Sequence, residues 1–313
     1  SEDLLYGVPV PTQTGVSNGT VTMNAASMKN SGFEFSATYR NHDHPFKYDI
    51  SANLSTLRNR VTSLGFGTES YITGAYATYV GKEIGKFYGW VYEGIARTQS
   101  DIDNHATQQG ANVGDCLYKD ISGPNGEPDG VIDAYDQTVL GSGLAKMNFG
   151  LSAHMEYKGF DLSISTYGAL NYHVADDIYN SLNSCYGWGN KDVAMADANR
   201  FSEDGSTYLS NVPRTYATNN ATLAWNDLFS SRKIQNAAYW KIANVELGYN
   251  FPDRWFKGLV TGVRAYVSAQ NLYTFTGYKG YNVDYAGGTF TPGYNFCSFP
   301  SARSFMAGLH FTF

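Results

Sequence analysis

Residues 147–157 read MNFGLSAHMEY, and residues 160–167 read FDLSISTY. In the first stretch Met147, Phe149, Leu151, Ala153, Met155 and Tyr157 alternate with Asn148, Gly150, Ser152, His154 and Glu156. In the second, Phe160, Leu162 and Ile164 alternate with Asp161, Ser163 and Ser165. Successive side chains of an extended strand point to opposite faces, so this pattern specifies two strands, each with one apolar and one polar face. Only Lys158–Gly159 lies between them, which makes the pair a hairpin. The pattern repeats on either side. It recurs at 33–40, where Phe33, Phe35, Ala37 and Tyr39 oppose Glu34, Ser36, Thr38 and Arg40. It recurs again at 48–57, 239–251, 263–270 and 303–313, giving seven strands. Trp240, Ile242, Tyr266 and Met306 break it by placing bulk on the nominally polar face.

Alternation alone fits two architectures. A soluble sandwich turns the apolar faces inward against each other. A membrane barrel turns them outward to lipid and keeps the polar faces in the lumen. The connections separate the two. Asn41–Lys47, Lys158–Gly159 and Pro252–Gly262 are short, while 58–146, roughly 170–238 and 274–302 are long. Short and long alternate strictly, as do the periplasmic turns and extracellular loops of outer-membrane barrels. The final strand ends at Phe313, so a periplasmic end there makes every short turn periplasmic and every long loop external. Residues 7–32 are then expected to be a further external loop, and 3–6 the tip of an upward strand. Seven strands cannot close a large barrel, and an open edge in lipid is not viable. The expectation is therefore an all-β fold: part of an antiparallel transmembrane β-barrel with long extracellular loops, its remaining strands on preceding sequence.

Composition agrees. Of 313 residues 16% are charged and 15% aromatic, with 25 Tyr and 33 Gly. That charge content is well below the roughly 25% of ordinary soluble domains. The net charge of −6 speaks against nucleic acid as a partner. No stretch of about 18 apolar residues provides a transmembrane helix, and the mean hydropathy of −0.34 is compatible with a barrel. Cys116, Cys185 and Cys297 have no metal-ligand spacing.

Several segments, taken in order, resemble the SusC/RagA family of TonB-dependent transporters. They are DLLYGVPVPTQTG and SMKNSGFEFSATY near the start, VGKEIGKFYGWVYEGIARTQSDIDNHA, GDCLYKDISGPNGEPDGVIDAYDQTVLG, YKGFDLSISTYGALNYHVADDIYN, AAYWKIANVELGYNFP, VRAYVSAQNLYTFTGYKGYNVD and the terminal FTF. The resemblance spans nearly the whole chain. It implies that residues 1–313 are the C-terminal part of a barrel of roughly 22 strands, with the plug and the N-terminal strands outside this sequence. It also implies import across the bacterial outer membrane, a TonB complex engaged through the missing part, and a SusD-like surface lipoprotein as lid. The implied substrate is a glycan or oligosaccharide, with a peptide second. The alternatives are a secreted carbohydrate-binding β-sandwich module and a surface glycoside hydrolase. No GxSxG, HExxH, P-loop or dinucleotide fingerprint points to an enzyme, and no carboxylate pair, Asp176–Asp177 included, is marked as catalytic.

The candidate site residues lie mostly in the long connections. Tyr186 and Trp188, in a Gly-flanked tip, and Trp90 are candidates for substrate contact, because flat rings with polar edges suit sugars. Asp120, Asp129, Asp133 and Asp136, with Ser122 and Asn125, form an acidic Gly-rich loop that could wrap Ca²⁺. The competing reading is a turn-rich loop held by Asx-turns. His42 and His44 sit in a surface turn, where solvated histidines are the ordinary case. Tyr249, Phe251, Trp255 and Phe256 fit an inner aromatic girdle, and Tyr239, Tyr273 and Phe275 an outer one. Lys241 is placed to snorkel from the lipid face. Phe305, Leu309, Phe311 and Phe313 share the apolar face of the last strand, and the terminal HFTF, with alternating aromatics ending in Phe313, looks like a barrel-assembly signal; the competing reading is a last strand that happens to end in Phe.

Overall fold

A computed structural model of the chain describes residues 4–9, 20–65, 67–182, 193, 200–202, 209–214, 225–256, 260–284, 287–296 and 298–313. The Lys158–Gly159 hairpin is present, and both turn residues have positive φ, 50° and 88°. A two-residue turn of that kind matches the right-handed twist of the strands it joins. The seven strands are β1 (Glu34–Asn41), β2 (Phe46–Thr56), β3 (Met147–Tyr157), β4 (Phe160–Leu170), β5 (Tyr239–Phe251), β6 (Gly262–Thr276) and β7 (Ser304–Thr312). They form one antiparallel sheet in chain order, β1 at one edge and β7 at the other.

Directly paired residues share a face, so the register assigns each face without ambiguity. One row runs Phe46, Tyr157, Phe160, Tyr249 across four strands. The parallel row one residue away runs Lys47, Glu156, Asp161, Gly248 and Tyr266. No described residue covers the apolar face. Phe35 is 64% exposed, Leu247 46%, Val267 55% and Leu309 63%. A sandwich would bury these side chains against a second sheet. Among the described residues, the four apolar clusters lie instead in the long connections and at the strand tops. The molecule is inverted relative to a soluble protein, with greasy faces outward and a polar face within.

Two aromatic levels bound the outward face. At the short-turn end Phe160 and Tyr249 approach to 4.6 Å, Tyr249 and Phe251 to 5.0 Å, and Phe251 lies 5.8 Å from Trp255 and 6.4 Å from Phe256. At the long-loop end Trp240 stacks on its cross-strand partner Phe275 at 5.3 Å, and Tyr273 meets Phe275 at 4.7 Å. From Tyr249 to Trp240 is about 30 Å of strand at ~3.3 Å per residue. At a tilt of roughly 40° that is about 23 Å of height, close to the ~25 Å apolar band of outer-membrane barrels.

The outer level corrects the sequence reading at four positions. Between Ile242 and Asn244 the register shifts against both neighbouring strands, with Ala243 as the extra residue on β5 relative to β4. A bulge of this kind flips everything beyond it to the other face. Trp240 and Ile242 therefore point outward, while Tyr239 and Lys241 point inward. Lys241 does not snorkel to headgroups, and Tyr239 belongs to an interior cluster with Tyr172, Val174 and Tyr278. Tyr266 stays on the polar face, where the Arg264 guanidinium lies over its ring at 5.3 Å.

The connections also differ from expectation. Residues 7–32 are not a single loop, because Thr20–Ser31 is a twelve-residue strand. It pairs with Leu4–Pro9 on one side and Arg58–Ser63 on the other. The long connection after β2 carries further short strands at Ser70–Thr73, Tyr76–Tyr79, Lys86–Gly89, Tyr92–Ile95, Cys116–Tyr118 and Thr138–Ser142. A connection this long must satisfy its own backbone groups, and small hairpins do so.

Candidate functional site

The three long connections fold against each other into one assembly above β1–β7. Phe87, from the first, packs with Ala175 and Phe229 of the second and Tyr294 of the third. Polar ties reinforce the packing. Arg214 grips Asp115 with two hydrogen bonds, Nε to Oδ1 at 2.6 Å and Nη2 to Oδ2 at 2.8 Å. This holds the Arg214 guanidinium above its ordinary pKa. Asn226 donates to the same carboxylate at 2.8 Å and accepts from the Cys116 amide at 2.7 Å. Asp176 is buried, receiving the Tyr278 hydroxyl, the Asn295 amide at 3.3 Å and the Tyr179 backbone N–H at 2.8 Å. Burial pushes the Tyr278 phenol above its ordinary pKa, so it remains a donor at all physiological pH.

The candidates read from sequence fall unevenly on this assembly. Trp90 is half-buried beside Tyr118, with ring centroids 6.5 Å apart, and its indole donates to the Asp133 carbonyl at 3.0 Å. Its ring is committed to packing rather than left open for a ligand. Tyr186 and Trp188 lie outside the described residues, as do Cys185 and Cys297. Cys116 is a buried thiol in the same cluster as Tyr118.

In the acidic loop the carboxylates are turned on the backbone. Asp136 accepts from the amides of Ile121 at 2.8 Å, Ser122 at 3.2 Å and Asp133 at 2.8 Å. Asp133 caps the short turn Ala134–Asp136 through the Tyr135 amide at 2.7 Å. Asp120 accepts from Gly130 at 2.7 Å, and Asp129 from Val131 at 3.1 Å. These are the Asx-turn contacts of a turn-rich loop. Among the described residues no group of three or more His, Cys, Asp or Glu is arranged to hold a metal ion. His42 pairs with Asp49 at 2.8 Å across the 42–45 turn.

Three sites had no motif in the sequence. On the inner face, Arg264 binds Asp161 through Nε at 3.0 Å and through Nη2, and Glu246 through Nη2 at 2.7 Å. Higher on the same face, Lys241 binds Asp284 at 2.6 Å, and the Tyr167 hydroxyl joins that carboxylate at 3.2 Å. The third is the Asp115–Arg214–Asn226 tie. Each includes a contact between residues about a hundred positions apart: Asp161–Arg264, Tyr167–Asp284 and Asp115–Arg214. Only the misplaced bulk of Trp240 and Ile242 signalled that Lys241 had turned inward.

No family model matches the chain. Curated relatives match along its whole length. The TonB-dependent receptor P3 of Formosa agariphila is 29% identical, and the TonB-dependent receptor SusC of Bacteroides thetaiotaomicron 26%. The match takes in 31% of the first and 29% of the second, so the chain spans about a third of the length of these relatives. Among solved structures, the RagAB peptide transporter superposes over the whole chain with a TM-score of 0.77 at 22% identity. The match covers 32% of that chain, and the "open-open" state of the RagAB peptide importer gives a TM-score of 0.74. The outward apolar face, the one-sided long loops, the sequence relatives and the superposition agree: along its whole length the chain is similar to barrel sequence of TonB-dependent receptors of the SusC/RagA type, proteins of the bacterial outer membrane.

Proposed function

We propose that residues 1–313 supply the C-terminal part of the wall, and the outer loops, of a TonB-dependent importer of a nutrient. The plug, the remaining strands and the TonB-contacting segment stand on sequence beyond these residues. A SusD-like surface lipoprotein covers the loop assembly. The substrate class we place first is a glycan or oligosaccharide, with a peptide second. The chain does no bond chemistry; it contains, orients and admits.

The observation that carries this reading is the uncovered apolar face beneath loops gathered at one rim. It supports a lipid-embedded wall with a polar interior, where inward Ser, Asn, Thr and paired charges line a path for a hydrated solute. The curated relatives named as TonB-dependent receptors support the energised direction. The structure named for a peptide transporter is the reason the peptide reading is kept.

Uptake tests it. Labelled oligosaccharides and labelled peptides are offered to cells with and without the receptor, before and after collapse of the proton-motive force. Receptor-dependent accumulation that stops on collapse is the expected result. Accumulation that is indifferent to the receptor, or to the energy source, overturns the reading.

A further inference from the structure

We propose that a polar hollow of about 200 Å³, between the tops of β5 and β6 and the 277–303 connection, is a binding subsite for one neutral sugar ring. The proposal rests on the importer reading above and names where such an importer grips its ligand. Lys241, Thr274, Thr276, Tyr281, Asn282 and Asp284 are among its lining. By register Lys241 pairs with Thr274 and Tyr239 with Thr276, which puts both threonines on the inner face with Lys241. The hollow therefore belongs to the solute side of the wall. Its volume is below the roughly 300–1,000 Å³ of drug-sized pockets, which suits a single ring of a longer chain.

The chemistry selects a neutral, hydroxylated ligand. Lys241 is 4% exposed and its ammonium is matched by Asp284 at 2.6 Å. A charged ligand group would have to displace one member of that pair and leave the other buried without its counter-ion, which is strongly unfavourable. Sugar hydroxyls can donate to the carboxylate and accept from the ammonium without separating them. The hydroxyls of Thr274 and Ser301 also line the hollow and make no hydrogen bond to any described residue. Tyr281 is 63% exposed, so its ring is available to the apolar face of a pyranose.

The hollow is formed in advance. Val283, between Asn282 and Asp284, is buried with Tyr172 and Tyr278. The Tyr172 hydroxyl donates to its carbonyl at 2.8 Å. Asn282 accepts from the Asp284 amide at 3.0 Å and donates to the Phe299 carbonyl at 3.3 Å. Little ordering is then left to oppose binding.

The intact receptor, in detergent with its native partners, is titrated calorimetrically with three probe sets. These are limit digests of neutral polysaccharides, digests of uronate-containing polysaccharides, and short peptides. The expected result is binding of a neutral digest, weakened about tenfold by Tyr281→Ala and by Thr274→Val and retained by Tyr281→Phe. Tyr281 is exposed and Thr274 carries no internal bond, so both variants should fold, as barrel heat-modifiability will report. The subsite is overturned if no neutral digest binds, if binding is confined to peptides or acidic glycans, or if both variants bind as the parent does. Energised uptake measured in parallel separates the two ideas. Uptake whose half-saturating concentration is unchanged in Tyr281→Ala removes the subsite and leaves the importer, whereas absence of energised uptake in the parent removes the importer.

Discussion

Gly248 shows how much a single residue decides on the inner face. It stands opposite Asp161 and Tyr266, and a Cβ there would fall on the Arg264 guanidinium and the Asp161 carboxylate. The three-way contact of Arg264 with Asp161 and Glu246 therefore requires glycine. Gly248→Ala should destabilise the barrel by about 1–3 kcal/mol through overpacking, read as a lower temperature of heat-modifiability. Asp101 illustrates a local titration outside the membrane. The Thr98 and Arg97 backbone amides donate to its carboxylate and hold its pKa below the usual carboxylate value. A depressed carboxylate stabilises above its unfolded pKa, and that contribution is lost as pH falls through the folded value. Amide protection at Arg97 and Thr98 is thus expected to be full at neutral pH and to vanish only below the ordinary carboxylate range. Loss of protection already near pH 6 would contradict it.

At the scale of the element, the sequence was legible wherever period two ran unbroken. β3 was read to the residue, because alternation and the turn chemistry of Lys158–Gly159 act locally, whereas β5 was read correctly in its ends but not in its faces beyond Ala243. The strand Thr20–Ser31 was not, since its pairing with Arg58–Ser63 is set by chain packed above the wall rather than by an apolar face of its own. Nor was the bulge at Ala243, which no residue type demands; only its consequence, two bulky side chains on the wrong face, was visible. The bulge yields its own prediction. Deleting Ala243 should close the bulge against β4 with Ile242 still opposite Thr166 and Lys241 still opposite Tyr167, so Lys241 keeps its inward facing and its contact with Asp284. Assembly into the outer membrane should match the parent. A fall in assembly, recovered in part by Lys241→Leu, would show instead that the deletion had turned Lys241 to lipid, at about 2–4 kcal/mol for a charge in the apolar band and less toward its rim. The candidate sites were the least legible part, because Lys241–Asp284 and Asp115–Arg214 join distant positions that no local pattern connects.

The whole molecule combines two kinds of stability. Its wall is held by lipid and ladder hydrogen bonds, and its loop assembly by ordinary buried clusters and ion pairs. The two should fail separately. Arg214→Ala leaves the buried Asp115 carboxylate with Asn226 but no counter-ion, a loss of about 3 kcal/mol, at the low end for a buried pair because Arg214 is partly solvated. Protease sensitivity of the outer loops on intact cells should rise while heat-modifiability of the barrel stays as in the parent. The claim beneath all of this is that the apolar face meets hydrocarbon. Nitroxide labels on single cysteines at 151, 247 and 267, and at their neighbours 152, 246 and 268, measure that directly in the reconstituted receptor with its native cysteines replaced. The account predicts that the first three relax with lipid-dissolved oxygen and the second three with a water-soluble nickel chelate. The opposite pattern, or water access at all six, would contradict it.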